Sequence, residues 1–321
     1  MMRRSNFLKS SSKKSKDIGI GSLALGLLFS GILLYFGFWI FGRWQANQAI
    51  QDKTDVKERI ELEFKVQSHL LEVVKAFGNL TFAVTAYYAW RNLKVAEENR
   101  ELAENRQVTE RFSKAVEMLG SEESDELKIG GIYLLERLAR DFTQDYWTVV
   151  EVLTAFVRRR SPIEKKRAHS KIGSDIQTAL TSISNLIPLR QPKHEGMHIN
   201  LEKTNLRGAI LPQGNLSRVL LGGANLQDAR LTEADLTGTF LNTADLSGAQ
   251  LYKATLDKAD LSGAKLTHAD LCEASLSETV LYKANLTEIK GCKASQLREA
   301  QNWEDAIYDV LLQKRLDLPP S

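Results

Sequence analysis

Leucine occupies every fifth position of a long C-terminal stretch in this chain. The series runs without a gap from Leu201 to Leu286. Two positions before most of these leucines stands a small residue, usually alanine, and the residue between the two is usually polar. An α-helix repeats near 3.6 residues and a flat strand repeats every two, so a period of five fits neither. This stretch therefore predicts neither amphipathic helices nor an ordinary β-sheet.

The five-residue unit fits three extended residues followed by a two-residue corner. In such a unit the alanine and the leucine point to one side, and the residue between them points to the other. Successive corners wind the chain into a parallel β-solenoid, with leucine and alanine along its axis and backbone hydrogen bonds between neighbouring coils. The units Ala244 to Gly248, Ala259 to Gly263 and Ala269 to Leu271 resemble those of the pentapeptide-repeat family. This resemblance implies a right-handed β-helix with four sides, and therefore a coil of 20 residues.

Residues that replace the inward alanine support the coil of 20. They tend to fall in one column with spacings of 20 or 40, which only Ala259 breaks: Ile199, Val219, Thr239 and Thr279. The outward residues beside them include three apolar ones, Leu220, Phe240 and Val280, here called the apolar stripe, whereas outward positions elsewhere are nearly all polar. A row of exposed apolar side chains is typical of a contact surface. The sequence leaves open whether the chain's own helices cover the stripe or whether it binds a partner protein or a second copy.

The N-terminal region predicts an attachment to a lipid bilayer. A basic tail, residues 1–17, precedes an uncharged segment, residues 18–42, which as a helix would be about 37 Å long and would span a bilayer. A second candidate span, residues 70–90, contains Glu72 and Lys75, and the alternative there is an amphipathic or buried helix. Two spans would form a hairpin over residues 18–90. With the basic tail in the cytoplasm, the hairpin predicts an integral protein of a bacterial inner or thylakoid-type membrane whose C-terminal domains are cytoplasmic.

A helical region is predicted between the membrane segment and the repeats, over residues 91–190. Amphipathic helices are expected at residues 94–119, 129–139, 146–158 and 174–185. Thr109 to Phe112 and Gly130 to Arg137 resemble the helical region that precedes the repeats in many bacterial membrane-anchored pentapeptide-repeat proteins. That resemblance identifies an architecture and implies no agreed activity.

Both ends of the repeat region need protection, since bare strand edges invite aggregation. The repeats are predicted over residues 196–291, and Gly291 stands where the next leucine is expected. Residues 295–315 predict one capping helix whose apolar face carries Trp303, Ile307 and Leu311. The chain is thus predicted to be an α+β multidomain protein with a transmembrane hairpin, a helical region, a four-sided parallel β-helix and a C-terminal capping helix.

One short motif has the form of a catalytic site. His194 to His198 reads H-E-x-x-H, the zinc-protease signature, which requires both histidines on one face of a helix. Pro192 and Gly196 disfavour a helix here, and the repeats begin at Ile199. The segment is better interpreted as a linker and the cap of the first coil. We therefore predict no metal, no cofactor and no catalytic residue, and a zinc hydrolase is kept as an alternative.

The two cysteines, Cys272 and Cys292, lie 20 positions apart and should stack on one face of neighbouring coils. Two reduced thiols are expected in a cytoplasmic domain, although the spacing would permit a bridge in an oxidising compartment.

The charge of the repeats argues against a nucleic-acid partner and against imitation of DNA. Some pentapeptide-repeat proteins mimic DNA and bind topoisomerases, which requires a strongly acidic surface. Residues 199–290 carry 11 acidic and nine basic residues, and the whole chain has a net charge of +3. We therefore expect a membrane-anchored scaffold for protein–protein interaction without catalytic activity. The alternative is a regulator that binds and inhibits an enzyme.

Overall fold

The computed structural model describes residues 33, 35–37, 39–45, 47–48, 51, 55–122, 124–163 and 171–319. The chain divides into two compact units, residues 1–98 and 99–321, and their boundary falls inside the long helix α1 (Val56–Gly120). Among its described residues, the second unit has three further α-helices before the repeats and two short ones after them: α2 (Asp125–Asp141), α3 (Tyr146–Arg160), α4 (Ser174–Leu186), α5 (Ala294–Leu297) and α6 (Val310–Leu316).

The predicted membrane segments fall in the first unit. Most of the span predicted at residues 18–42 lies outside the described residues, and its described residues, from Leu33 onward, are helical. The second predicted span, residues 70–90, is part of α1. In the described part of the chain, no helix combines the length and the apolar character that a membrane crossing requires. Glu72, Lys75 and Asn79 interrupt the apolar run of α1, and the two-span hairpin therefore stays a prediction.

The end of α1 packs with α2, α3 and α4 around a single apolar core. Ala115 of α1, Ile132 of α2, Leu153 of α3 and Ile183 of α4 are all fully buried there. A Cβ on Gly131 would lie only 2.7 Å from the Ala115 carbonyl oxygen. Glycine is therefore required at this position because α1 and α2 approach each other too closely for any side chain.

The repeats form a parallel β-helix with a coil of 20 residues, as the family resemblance implies. Outward residues form parallel bridges with the residue 20 positions later, as Leu220 does with Phe240. The leucines and alanines of the repeats are buried along the axis. The inward Thr239 is also buried, and its hydroxyl donates a hydrogen bond to the Leu216 carbonyl oxygen at 2.8 Å. The axis accommodates this polar residue because its hydrogen bond is satisfied.

Outward Asp and Asn side chains form hydrogen bonds with the backbone at the corners of the coils. In each case Oδ1 accepts a hydrogen bond from the backbone N–H two residues later, as Asp245 does from Ser247 at 3.1 Å. This contact favours the turn over an extended continuation of the chain. Nine residues make it in the described part of the chain: Asn200, Asn205, Asn215, Asn225, Asp235, Asp245, Asp260, Asp270 and Asn285. The recurrent Asp and Asn are therefore structural, a role that was not predicted from the sequence.

The helical region covers the first edge of the solenoid. The backbone N–H groups of outward residues donate to the preceding coil, as Leu220 does to Ile199. The first coil has no preceding coil, and three of its outward residues find substitutes. Asn205 donates to the Ser161 carbonyl oxygen at 2.7 Å, and Asn215 donates to the Ser184 hydroxyl at 2.8 Å. The side-chain amide of Gln177 accepts from the N–H of Ile210 at 2.8 Å and donates to its carbonyl oxygen at 2.7 Å. Gln177 on α4 thus takes the place of a neighbouring strand.

The C-terminal cap differs from the prediction. In place of one helix over residues 295–315, the chain forms α5, a 3₁₀ turn at Trp303–Asp305, and α6. Between them Ile307 bridges in parallel to Asn285 and is 52% exposed, while Leu311 is 75% exposed and Trp303 is half-buried. The three predicted residues therefore do not form one buried face. The buried residues are others, namely Leu297, Ala300, Tyr308, Leu312 and Leu316.

Hydrogen bonding explains why the C-terminal cap is not a single helix. The N–H groups of Leu281 and Leu286, in the last full coil, donate to the carbonyl oxygens of Gln301 and Ile307 at 2.9 and 2.7 Å. Extended backbone offers carbonyl groups to a strand edge, whereas the side of a helix has already used its own.

Candidate interaction face

One side of the solenoid carries the apolar stripe. We call it the stripe face, and its outward residues follow one another in successive coils: Asn200, Leu220, Phe240, Asp260 and Val280. Phe240 is 40% exposed, and Leu220 and Val280 are half-buried. The structure thus places all three predicted stripe residues on one column, with Asp260 between Phe240 and Val280.

Phe240 has one aromatic neighbour among the described residues. The ring of His198 meets it edge-on, with centroids 5.9 Å apart. His198 comes from the segment that enters the first coil, and its Nδ1 lies 3.3 Å from the Arg218 carbonyl oxygen. The corner positions that follow Leu220 and Phe240 are small or neutral, including Gly222, Asn242 and Thr243, whereas the corner that precedes Leu220 carries the exposed Arg218. The centre of the stripe face therefore has neutral residues on one flank and a single cation on the other.

The apolar stripe is not explained by the stability of the coils. At equivalent positions Asn200 and Asp260 bind their corner N–H groups at 3.0 and 2.9 Å. Leucine, phenylalanine and valine cannot accept such a bond, which contributes about 1 kcal/mol net. Phe240 also leaves much of its ring in solvent. These positions therefore combine the loss of a corner bond with exposed apolar surface, a combination typical of contact surfaces.

The H-E-x-x-H segment does not bring its two histidines together. His194 ends a 3₁₀ turn, Pro192–His194, and is buried, whereas His198 is exposed on the stripe face. The His194 ring stacks on Tyr146 and Trp147 of α3, with centroids 5.4 and 5.7 Å away. In the described residues no group of His, Cys, Asp and Glu is arranged to hold a metal ion.

His194 instead joins the linker to the helical region. Its burial, and then the nearby positive charges of Lys193 and Arg190, lower its pKa below the ordinary value of histidine. The Arg190 guanidinium donates hydrogen bonds to the carbonyl oxygens of His194 and Glu195 at 2.6 and 3.1 Å. A neutral ring packed on α3 therefore holds the chain at the point where it enters the first coil.

The two cysteines are free thiols, and both are half-buried. Burial, helped by the neighbouring Cys272, raises the pKa of the Cys292 thiol to about 12. The nucleophilic thiolate of Cys292 is therefore scarce at neutral pH, which does not favour a reactive site here.

Comparison with known proteins agrees with the geometry of the repeats. The family profile described as pentapeptide repeats matches eight copies, at residues 199–238, 224–263 and 256–290. HetL, a pentapeptide repeat protein involved in heterocyst differentiation regulation in the cyanobacterium Nostoc sp. strain PCC 7120, is 36% identical over 34% of this chain and 48% of its own, with a TM-score of 0.29. This chain thus spans about half the length of HetL.

A second pentapeptide repeat protein of Nostoc PCC 7120 is 31% identical over 33% of this chain and 84% of its own, with a TM-score of 0.29. One from the thylakoid lumen of Arabidopsis thaliana is 26% identical over 31% of this chain and 72% of its own, with a TM-score of 0.26. No curated protein matches the chain. The repeat profile shows that the repeats of this chain, residues 199–290, belong to the pentapeptide-repeat family.

Proposed function

We propose that this protein is a non-catalytic scaffold that binds another protein chain through the stripe face, and that its N-terminal region holds it at a membrane. Pentapeptide-repeat proteins act generally in protein–protein interaction, and the observation that carries the proposal here is Phe240. This aromatic residue lies in the middle of a rigid, flat face, is 40% exposed, and occupies a position where the repeat commonly has Asp or Asn. Aromatic residues contribute strongly to protein interfaces because they bury a large area with little loss of conformational entropy.

The electrostatics of the solenoid fit a protein partner better than nucleic acid. Many of its charges form ladders between coils, such as Lys253 with Glu273 at 3.7 Å and Lys258 with Glu278 at 3.8 Å. These pairs neutralise one another, so the surface offers neither a basic track for phosphates nor a strongly acidic imitation of DNA. The balanced charge equally leaves room for a regulator that binds an enzyme by shape rather than by DNA mimicry.

The membrane anchor rests on the uncharged segment at residues 18–42 and the basic tail before it. If residues 70–90 complete a hairpin, the repeats lie in the cytoplasm, and a single crossing would place them on the other side. A topology reporter fused after Arg91 distinguishes the two arrangements. We expect a cytoplasmic signal, and an external signal would refute the hairpin.

The binding role is tested by site-specific photo-cross-linking in living cells. A photoreactive residue replaces Phe240 in one variant of the full chain and Gln250 in another. Gln250 is the matched control because it is an exposed outward residue ten positions on, which places it on the opposite side of a four-sided coil. We expect an adduct from position 240 and none from position 250. Absence of any adduct at 240, or equal adducts at both positions, would contradict the proposal.

A further inference from the structure

We propose that the stripe face binds the stripe face of a second copy of this chain, with the two solenoids antiparallel. The inference rests on the proposed function and specifies the partner. It starts from the order of outward residues in the first four coils, which is polar, apolar, apolar, polar: Asn200, Leu220, Phe240 and Asp260. This order reads alike in both directions. A two-fold axis between the coils of Leu220 and Phe240 places Leu220 of one copy opposite Phe240 of the other, and Asn200 opposite Asp260.

The polar ends of this column are complementary in hydrogen bonding. Oδ1 of Asn200 accepts the corner bond from Glu202, which leaves its Nδ2 without a partner among the described residues. Oδ1 of Asp260 likewise accepts from Ser262, which leaves its Oδ2 without one. Each side chain therefore keeps the atom that suits the other copy: a donor on Asn200 and a charged acceptor on Asp260. Two such bonds would flank the apolar centre.

Charge selects the antiparallel arrangement over the parallel one. A two-fold axis along the solenoid would place every residue opposite its own copy, so Asp260 would face Asp260. In the antiparallel arrangement the charged corner of the first coil, Glu202 and Lys203, faces the neutral corner of the fourth, Ser262 and Gly263. Within these four coils no like charges then meet across the interface, whereas the parallel arrangement creates a repulsive pair of Asp260 carboxylates.

The size of the face predicts a reversible association. Four coils about 4.8 Å apart and five residues of about 3.3 Å each give a flat footprint of about 300 Å² per copy. A standard stable interface buries about 800 Å² per partner. The dimer is therefore expected to form and dissociate with protein concentration rather than to be permanent.

An exchange of Asn and Asp provides the test, because both residue types can form the corner bond and the fold should not change. The full chain is studied in mild detergent by analytical ultracentrifugation. Asn200→Asp should weaken dimerisation about tenfold, since it places two carboxylates opposite each other. The double variant N200D/D260N should restore the wild-type dissociation constant to within about twofold. Phe240→Asp should abolish the dimer, and circular dichroism should show the same β-structure in every variant.

A wild-type protein that stays monomeric at all concentrations would overturn the second-copy inference, and so would a dimer that Phe240→Asp leaves unchanged or that the double variant fails to restore. The photo-cross-linking experiment separates this inference from the proposed function. An adduct at position 240 with twice the chain mass supports both. An adduct of any other mass supports the scaffold and refutes the second copy.

Discussion

Replacing Asp245 by alanine tests whether the outward carboxylates stabilise the coils. Oδ1 of Asp245 accepts hydrogen bonds from the N–H and the hydroxyl of Ser247 at 3.1 and 2.7 Å, and Oδ2 accepts one from the Gln227 amide at 2.8 Å. Each bond contributes about 1 kcal/mol net. The hydroxyl and the amide are partly exposed and can turn to water, whereas the N–H is fixed by the corner. We therefore expect Asp245→Ala to lower the free energy of unfolding by about 2 kcal/mol, mainly because the Ser247 N–H is left without an acceptor.

The assay is urea unfolding of the full chain in mild detergent, with amide hydrogen exchange at Ser247 as a local measurement. Asp245→Asn is the matched control, since Asn makes the same corner bond elsewhere in this chain, and it should lose less than about 1 kcal/mol. Lys265→Ala, at the next outward position of the same column, should change stability by less than about 0.5 kcal/mol.

An Asp245→Ala variant as stable as the wild type, or an Asp245→Asn variant that loses as much as the alanine variant, would refute this reasoning. An Asp245→Ala variant as stable as the wild type would also mean that the corner bond contributes no stability. The absence of this bond at Phe240 would then not need an explanation by contact with another molecule.

Three further predictions concern the first edge, the linker and the thiols. Gln177→Leu removes both hydrogen bonds to Ile210 and should lower the free energy of unfolding by about 2 kcal/mol, with faster hydrogen exchange at Ile210; unchanged exchange there would contradict the capping role. Burial lowers the pKa of His194, so the unfolded chain binds the proton more readily. The stabilising contribution of the neutral His194 ring should be fully present above about pH 6.5 and should decrease below it. Urea midpoints measured from pH 8 to pH 5 should therefore fall with pH in the wild type and fall less in His194→Phe. In a Cys272→Ser variant, alkylation of native Cys292 at pH 8 should be far slower than in urea, because burial, the main cause of its raised pKa, remains without Cys272; equal rates would contradict the burial of the thiol.

The repeat region could be predicted from the sequence because its structure repeats locally. Each unit directs its alanine and leucine inward and its middle residue outward, so a column such as Leu220 and Phe240 follows once the coil is known to contain 20 residues. The corner bonds of Asp and Asn were not predicted, although these residues recur in the same repeat. Their fixed spacing of two residues before a corner N–H was the signal that would have revealed them.

The ends of the solenoid could not be predicted in this way. Trp303, Ile307 and Leu311 have the spacing of a helical face, yet Ile307 extends along Asn285, because the last coil requires carbonyl groups at its edge. Gln177 gives no sign in the sequence that its amide replaces a strand beside Ile210, 33 residues away. Both contacts depend on segments that meet only in the folded chain.

The sequence by itself thus determined the buried axis of the β-helix and, with the coil of 20 residues that the family resemblance implies, the place of the apolar stripe, because both follow from side-chain direction within a five-residue unit. Only the tertiary structure decided how the two edges are capped, that His194 and His198 point to different surroundings, and that Phe240 remains partly exposed. These outcomes depend on which backbone groups are left without partners and on which distant segment satisfies them, and local periodicity carries no information about that.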